Sequence, residues 1–481
     1  MFARMKPIMF CATGSDAGKS ILATALCRIL RQDGYHPAPF KAQNMALNSY
    51  VTPDGCEIGR AQAVQAEAAG VEIESDMNPI LLKPQSDHTS QVILNGHPIG
   101  NRSAYSYFRN EGREDLRKAA CEAFDRLARK YDPIVMEGAG SISELNLKRQ
   151  DLVNLPMAKY AGANVVLVTD IDRGGVFASC YGSIALQDEE DRKLIKGIII
   201  NKFRGDIRLF DEGRQILERI CGVPVLGIIP YFTDIHIEEE DSVELAQKSH
   251  EAMQGKVNIA VVLLKHISNF TDFDRIENDS RVHLYYTNNV IDIDHADIVI
   301  LPGSKSTIDD LYELRHNGCA QAIIRAHRQG KTIMGICGGF QMLGIDVCDP
   351  EHIEGYIERM PGLSLLPMST MMNSEKTTRQ VEFSHHGNIL RGYEIHNGIS
   401  SFDDEVSQDM LNKEKIVHRH RVYGTYVHGI LDNQEFVEEL LAPYSNKSDE
   451  VVDYQKYKQQ QYDKLADHVR QHLDISRLYN L

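Results

Sequence analysis

Gly335-Ile336-Cys337-Gly338-Gly339 sets a cysteine among glycines directly after the apolar run Thr332-Ile333-Met334. A strand that turns sharply through a cysteine into a helix opening near Phe340 is the cysteine form of a nucleophile elbow. The glycines permit the strained turn, and a helix start favours the thiolate. A serine there would point to ester hydrolysis. A cysteine points to attack on an amide, through a thioester. Such a nucleophile needs a base. His428, in Tyr426-Val427-His428-Gly429, ends an apolar run and is the first candidate; His396, in Ile395-His396-Asn397-Gly398, is the rival. The oxyanion formed on attack needs two backbone N–H donors. Gly338, next after the nucleophile, offers one, and Gly303 in the turn Leu301-Pro302-Gly303-Ser304-Lys305 offers the other.

A second chemistry sits at the other end of the chain. Thr13-Gly14-Ser15-Asp16-Ala17-Gly18-Lys19-Ser20 follows the apolar run Ile8-Met9-Phe10 and precedes the helical pattern Ile21-Leu22-Ala23-Thr24-Ala25-Leu26. Strand, glycine-containing loop and helix in that order form a phosphate-binding loop. Backbone N–H groups and the helix start hold the phosphates, Lys19 neutralises them, and Ser20 is a magnesium ligand. Thr13 stands at the first glycine position of the strict pattern. Asp16 is read as a metal ligand, an acid–base group or a loop stabiliser. Glu137, at the end of Val135-Met136-Glu137, is a carboxylate placed to hold Mg2+ opposite Ser20. Asn201 and Lys202 follow the run Ile198-Ile199-Ile200, where a nucleotide base could be read.

These groups must be carried by strands that are apolar on both faces. Ile8-Met9-Phe10, Ile134-Val135-Met136, Val165-Val166-Leu167-Val168 and Gly197-Ile198-Ile199-Ile200 form one series. Val257 to Val262, Ile298 to Leu301 and Thr332-Ile333-Met334 form another. Such runs alternating with helical stretches predict mostly parallel sheets. The charged stretch from Ile237 to Lys256 marks a boundary between two units, 1–240 and 252–440. Beyond it, 441–481 reads as an amphipathic helical segment, with Tyr454, Tyr457, Tyr462, Leu465, Val469 and Leu473 on one face.

Bulk composition narrows the class. The 481 residues allow two or three domains, and 42% hydrophobic with 25% charged residues is ordinary for a globular protein. A net charge of −16 with no basic run argues against nucleic acid. Nine cysteines without paired spacing argue against a disulfide framework or zinc site. No long apolar stretch predicts membrane insertion, and a cytoplasmic setting is expected. Small molecules are the expected partners; composition leaves the oligomeric state open.

Longer segments carry a family resemblance. Phe40-Lys41-Ala42-Gln43-Asn44-Met45-Ala46-Leu47-Asn48-Ser49, Glu57-Ile58-Gly59-Arg60-Ala61-Gln62, Asp170-Ile171-Asp172-Arg173-Gly174-Gly175 and Leu301-Pro302-Gly303-Ser304-Lys305-Ser306-Thr307 resemble the cobyric acid synthase family over nearly the whole chain. The resemblance implies an α/β fold of two domains. The first is a P-loop NTPase-like, mostly parallel sheet similar to dethiobiotin synthetase, and the second a class I glutamine amidotransferase domain. It implies ATP- and Mg2+-dependent amidation of the b, d, e and g carboxylates of adenosylcobyrinic acid a,c-diamide, with ammonia from glutamine. Cobyrinic acid a,c-diamide synthase and other ligases of the same architecture are the alternative. A non-catalytic P-loop ATPase that only binds a partner is a reading of another class. By this resemblance Cys337 is the nucleophile and His428 the base, while Lys19, Ser20 and Glu137 serve the nucleotide. Lys41, Gln43, Asn44, Arg60 and Arg173 are candidates for the corrinoid. Two positions depart from the pattern. Ala12 stands where the family loop opens with glycine. Ile430 stands where class I glutaminases place the glutamate that orients the histidine, which suggests a Cys–His dyad, with Glu394 or Asp432 as substitute orienting acids.

Overall fold

The computed structural model describes residues 5–85, 89–103, 107, 113–238, 252–445 and 453–481. Two parallel sheets organise it, each built from one of the two series of apolar runs. The first has the order Val225–Pro230, Ile195–Phe203, Asn164–Asp170, Ile8–Ala12, Ile134–Glu137, Ala38–Phe40, with all neighbours parallel. Its strands are apolar on both faces because helices cover both sides. Val166, Leu167, Ile198, Ile199 and Ile200 are wholly inaccessible, and each such side chain contributes about 1.5–3 kcal/mol of burial.

The second sheet runs Val282–Thr287, Val257–Val262, Ile298–Leu301, Thr332–Ile336, Val422–Thr425, Ile416–Arg419. Only the last pair is antiparallel. Beside it a long hairpin, Met368–His385 with Asn388–Phe402, pairs with the short strand Val427–His428. That pairing joins the histidine-bearing turn to the rest of the domain.

The charged boundary of the sequence falls largely in 239–251, outside the described residues. The C-terminal segment does not stand alone. Helix Tyr454–His472 buries Tyr462, Leu465, Ala466 and Val469 in one cluster with Leu22, Leu26 and Ile29 of helix Lys19–Gln32. Leu473 then bridges to Gly227 at the edge of the first sheet. An amphipathic helix needs an apolar partner, and here the chain returns to its first domain to find one. All nine cysteines are free of disulfides. Among the described residues no helix is long and apolar enough to cross a membrane.

The two domains meet through polar contacts near the second sheet's C-terminal edge. Ser49 N donates to Asn269 Oδ1 at 2.9 Å, Phe270 N donates to Asn48 Oδ1 at 3.2 Å, and Tyr393 Oη donates to Ser49 O at 3.1 Å. Glu57 of the first domain sits 2.5 Å from Lys376 of the second.

Candidate active site

Strand Thr332–Ile336 delivers Cys337 at φ 52°, ψ −110°, a backbone conformation that side chains other than glycine rarely adopt. The turn closes only because Gly339 lacks a side chain: a Cβ there would lie 2.0 Å from Leu301 O. Helix Gly338–Met342 behind the thiol is five residues long, so its dipole is a smaller influence than the sequence suggested. The polarising group is instead His428, fully buried at the end of Val427–His428.

His428 Nδ1 lies 2.7 Å from Asp272 Oδ2, and Gly429 N donates to Asp272 Oδ1 at 2.9 Å. This corrects the expectation of a dyad. Asp272, in the single turn Phe270–Phe273, takes the place of the acid missing at Ile430. Neither proposed substitute reaches the histidine. Glu394 is 2.5 Å from Arg379. Asp432 is half-buried, and desolvation chiefly pushes its carboxyl up to about 7. The sequence held no signal for Asp272, because it comes from 156 residues away and not from the motif.

His428 Nε2 is the remaining ring nitrogen, buried and without a hydrogen bond in the structure. Cys337 Sγ makes its own weak contact with Ile395 O at 3.5 Å. Burial alone would lower the His428 pKa, but the Asp272 carboxylate and the neighbouring Cys337 outweigh it and push it up to about 10. A positive charge on this imidazole is of the sign that stabilises a thiolate beside it. His396, the rival base, is pushed down to about 4 by burial, and its Nδ1 faces Gly398 O at 2.8 Å.

The backbone N–H groups beside Cys337 are placed differently from the sequence reading in one member. Lys305 N donates to His266 O at 2.9 Å, and the antiparallel pairs Ile267↔Ser304 and Ser268↔Gly303 continue from it. Hydrogen-bonded and open pairs alternate in such a ladder. Gly303 N–H is thereby committed to Ser268, and Ser304 N–H faces outward. It faces the nucleophile turn: a Cβ on Gly338 would lie 2.9 Å from Ser304 N. Gly303 instead packs against the His428 ring, and its side-chain-free Cα leaves room for Cε1.

The phosphate loop connects Ile8–Ala12 to helix Lys19–Gln32. Gly18 has φ 93°, and a Cβ there would strike Asn201 Nδ2 at 2.0 Å. Asn201 donates to Ala17 O at 2.9 Å, so it braces the loop. Thr13 N donates to Val168 O, and its hydroxyl to Thr169, which extends the sheet and commits both donors of Thr13 to it. Gly14, Ser15 and Asp16 form the open part of the loop, and Ala17 is buried beneath it. Lys19 Nζ donates to Gly140 O at 3.1 Å. Asp16 pairs with Arg173 at 2.9 Å, and Lys202 with Asp170 at 3.3 Å.

Ser20 Oγ is 2.9 Å from Glu137 Oε1. A hydroxyl and a carboxylate converging beside a phosphate loop are oxygen donors that suit Mg2+. The same carboxylate is bound by Lys41 at 2.8 Å and by Gln65 at 2.8 Å, which outweigh burial and keep it ionised.

The corrinoid candidates separate in space. Lys41 pairs with Glu137, which Ser20 of the helix after the phosphate loop also contacts. Asn44 is buried and bonded to Gln62. Arg60 is buried against Glu238 at 2.5 Å. Both side chains are thus partnered within the protein, a pairing that sequence cannot distinguish from ligand binding. Gln43 lines a cavity of about 210 Å³ beside Gly140, Ser141 and Asn154, next to the phosphate loop. Arg173 is exposed at the loop's rim.

Comparison with known proteins agrees with this two-site division. Residues 8–245 match the CobQ/CobB/MinD/ParA nucleotide binding domain, and residues 258–436 match the CobB/CobQ-like glutamine amidotransferase domain. Over its whole length the chain is 62% identical to a cobyric acid synthase of Phocaeicola vulgatus, covering 99% of that protein. It is 62% identical to one of Bacteroides fragilis and 54% identical to one of Parabacteroides distasonis, at 99% coverage of each.

Proposed function

The chain belongs to the cobyric acid synthase family of glutamine-dependent ligases, and from that premise we propose that it amidates the b, d, e and g carboxylates of adenosylcobyrinic acid a,c-diamide. The observation that carries the reading is the Cys337–His428–Asp272 alignment in one domain, together with the Lys19–Ser20–Glu137 grouping in the other. One chain thus holds an amide-cleaving site and a carboxylate-activating site.

In the glutaminase half, the Cys337 thiolate attacks the side-chain carboxamide of glutamine. Gly338 and Ser304 N–H groups stabilise the oxyanion. His428, held in one orientation by Asp272, passes its Nε2 proton to the departing ammonia. It then takes a proton from the water that hydrolyses the thioester. In the other half, a free carboxylate is too poor an electrophile for ammonia, and phosphorylation by ATP makes it an acyl phosphate. Lys19 neutralises the phosphate charge during transfer. Ser20 and Glu137 would hold Mg2+, which supplies further charge neutralisation at the phosphate oxygens. Gln43 and Arg173 border the face where the corrinoid would lie. Ammonia reaches the acyl phosphate within the protein, because in bulk water at neutral pH it would be protonated. A cytoplasmic setting fits the supply of ATP and glutamine.

The test is mass spectrometry of the corrinoid after incubation with glutamine, ATP and magnesium. Four successive amidations are expected from the a,c-diamide. Consumption of ATP and glutamine with no corrinoid mass change would overturn the substrate assignment.

A further inference from the structure

The pocket at Cys337 is walled partly by the first domain. Lys83, on strand Ile80–Pro84, lines it with Lys305, Lys376 and Glu354. Two of these lysines are already paired. Lys83 Nζ is 2.7 Å from Glu57 Oε1 and 2.9 Å from Ser49 Oγ, and Lys376 Nζ is 2.5 Å from Glu57 Oε2. Lys305 differs from both. It is 8% exposed, and among the described residues its ammonium has no hydrogen bond or ion pair. Burial and the adjacent Lys376 push its pKa well below the usual lysine range.

A buried, unpaired ammonium is unfavourable. It is understandable where an anion arrives during the reaction. Glutamine brings one: its α-carboxylate lies three carbons beyond the carboxamide that Cys337 attacks. The same pocket carries an acid. Glu354 accepts from Thr307 N at 2.7 Å and forms no ion pair with Lys305. Burial pushes the Glu354 carboxyl up to about 7, so it gains most from a cation arriving beside it. A basic and an acidic side chain held apart in one pocket match the two charges of an amino acid zwitterion.

We propose that Lys305 binds the α-carboxylate of glutamine and Glu354 its α-ammonium, in a pocket completed by Lys83 from the first domain. Lys83 and Lys376 add positive potential without spending their own hydrogen bonds on the ligand, because Glu57 holds both. The glutamine site is therefore whole only when the domains are docked. This rests on the reading of glutamine as the amide donor.

The test uses two alkylating agents on the full-length protein, followed by intact mass. 6-Diazo-5-oxo-L-norleucine carries the α-carboxylate and α-ammonium; iodoacetamide carries neither. In Lys305→Gln, the second-order rate of Cys337 labelling by the norleucine reagent is expected to fall roughly 10- to 100-fold, the scale of one charge-assisted hydrogen bond. Labelling by iodoacetamide is expected to stay within about twofold. Lys305→Arg should recover part of the loss. An unchanged norleucine rate would overturn the proposal, as would an equal fall with both reagents, which would make Lys305 an influence on the thiol itself. A parallel assay of the wild type with ammonium chloride in place of glutamine separates this from the corrinoid reading. Failure to amidate the corrinoid there would sink that reading and leave the labelling result standing.

Discussion

Asp272 Oδ2 lies 2.7 Å from His428 Nδ1 in a fully buried pair, and the turn that carries Asp272 is the turn on which the first domain docks. Asn48 and Ser49 bond the backbone N–H of Phe270 and the side chain of Asn269, within three residues of Asp272. The glutaminase constellation is thus supported from outside its own domain.

Replacing Asp272 by Asn removes the charge that holds His428 protonated and fixed. The glutaminase kcat is expected to fall about 10²- to 10⁴-fold, as for other triads deprived of their acid. Synthesis from ammonium chloride should continue, since Lys19, Ser20 and Glu137 are untouched. Glutamine- and ammonia-driven rates measured side by side check this.

The complementary variants are Ser20→Ala and Glu137→Gln. Both are expected to lower synthesis from either nitrogen source by at least about 100-fold, because charge stabilisation of phosphoryl transfer is lost. Cys337 should still react with iodoacetamide at the wild-type rate. Glu137→Gln should also lower the melting temperature, since it leaves the buried Lys41 without its partner carboxylate.

Glu57 predicts a pH effect on stability. Burial alone would raise its pKa, but the Lys376 and Lys83 ammoniums outweigh that and hold the carboxyl well below the usual range. A depressed folded value means its contribution is complete above the unfolded pKa of about 4.3 and is lost as pH falls below it. The wild-type melting temperature should therefore drop between about pH 5 and 3 more steeply than that of Glu57→Gln. At pH 7 that variant should be less stable by about 3–5 kcal/mol, the cost of stranding buried lysines. Thermal scans of both proteins across this range decide it.

Lys305 predicts a pH effect on glutamine affinity. Lys83, Lys376, Glu57 and Glu354 face it from the surrounding elements, with Cys337 and His428 in the same pocket. Its pKa lies below the usual lysine range, so rising pH discharges it before ordinary lysines, and the α-carboxylate loses its partner. KM for glutamine should rise on the alkaline side of neutrality in the wild type. In Lys305→Gln it should start high and stay flatter. A KM profile from pH 6 to 9 on both proteins is the check.

The sequence by itself determined the two parallel sheets, the nucleophile elbow and the phosphate loop. These rest on local physics. Runs apolar on both faces must lie in covered parallel strands, and a cysteine among glycines after a strand must turn sharply. A Gly-Lys-Ser loop between strand and helix must present its N–H groups. The approach of Ser20 to Glu137 was legible for the same reason: Glu137 ends the strand beside Ile8–Ala12, and Ser20 lies in the first turn of the helix that follows Ile8–Ala12. Tertiary structure alone decided the rest. Asp272 reaches His428 across 156 residues, through a turn with no motif. The N–H that faces the nucleophile turn is that of Ser304 rather than Gly303, because strand pairing, with its alternating hydrogen bonds, fixes which N–H is free. Arg60 pairs with Glu238 and Asn44 bonds Gln62, whereas Lys83 and Lys305 line the pocket at Cys337. A charged side chain carries no local sign of whether its partner will be protein, ligand or water; only the packing of one domain against another assigns it.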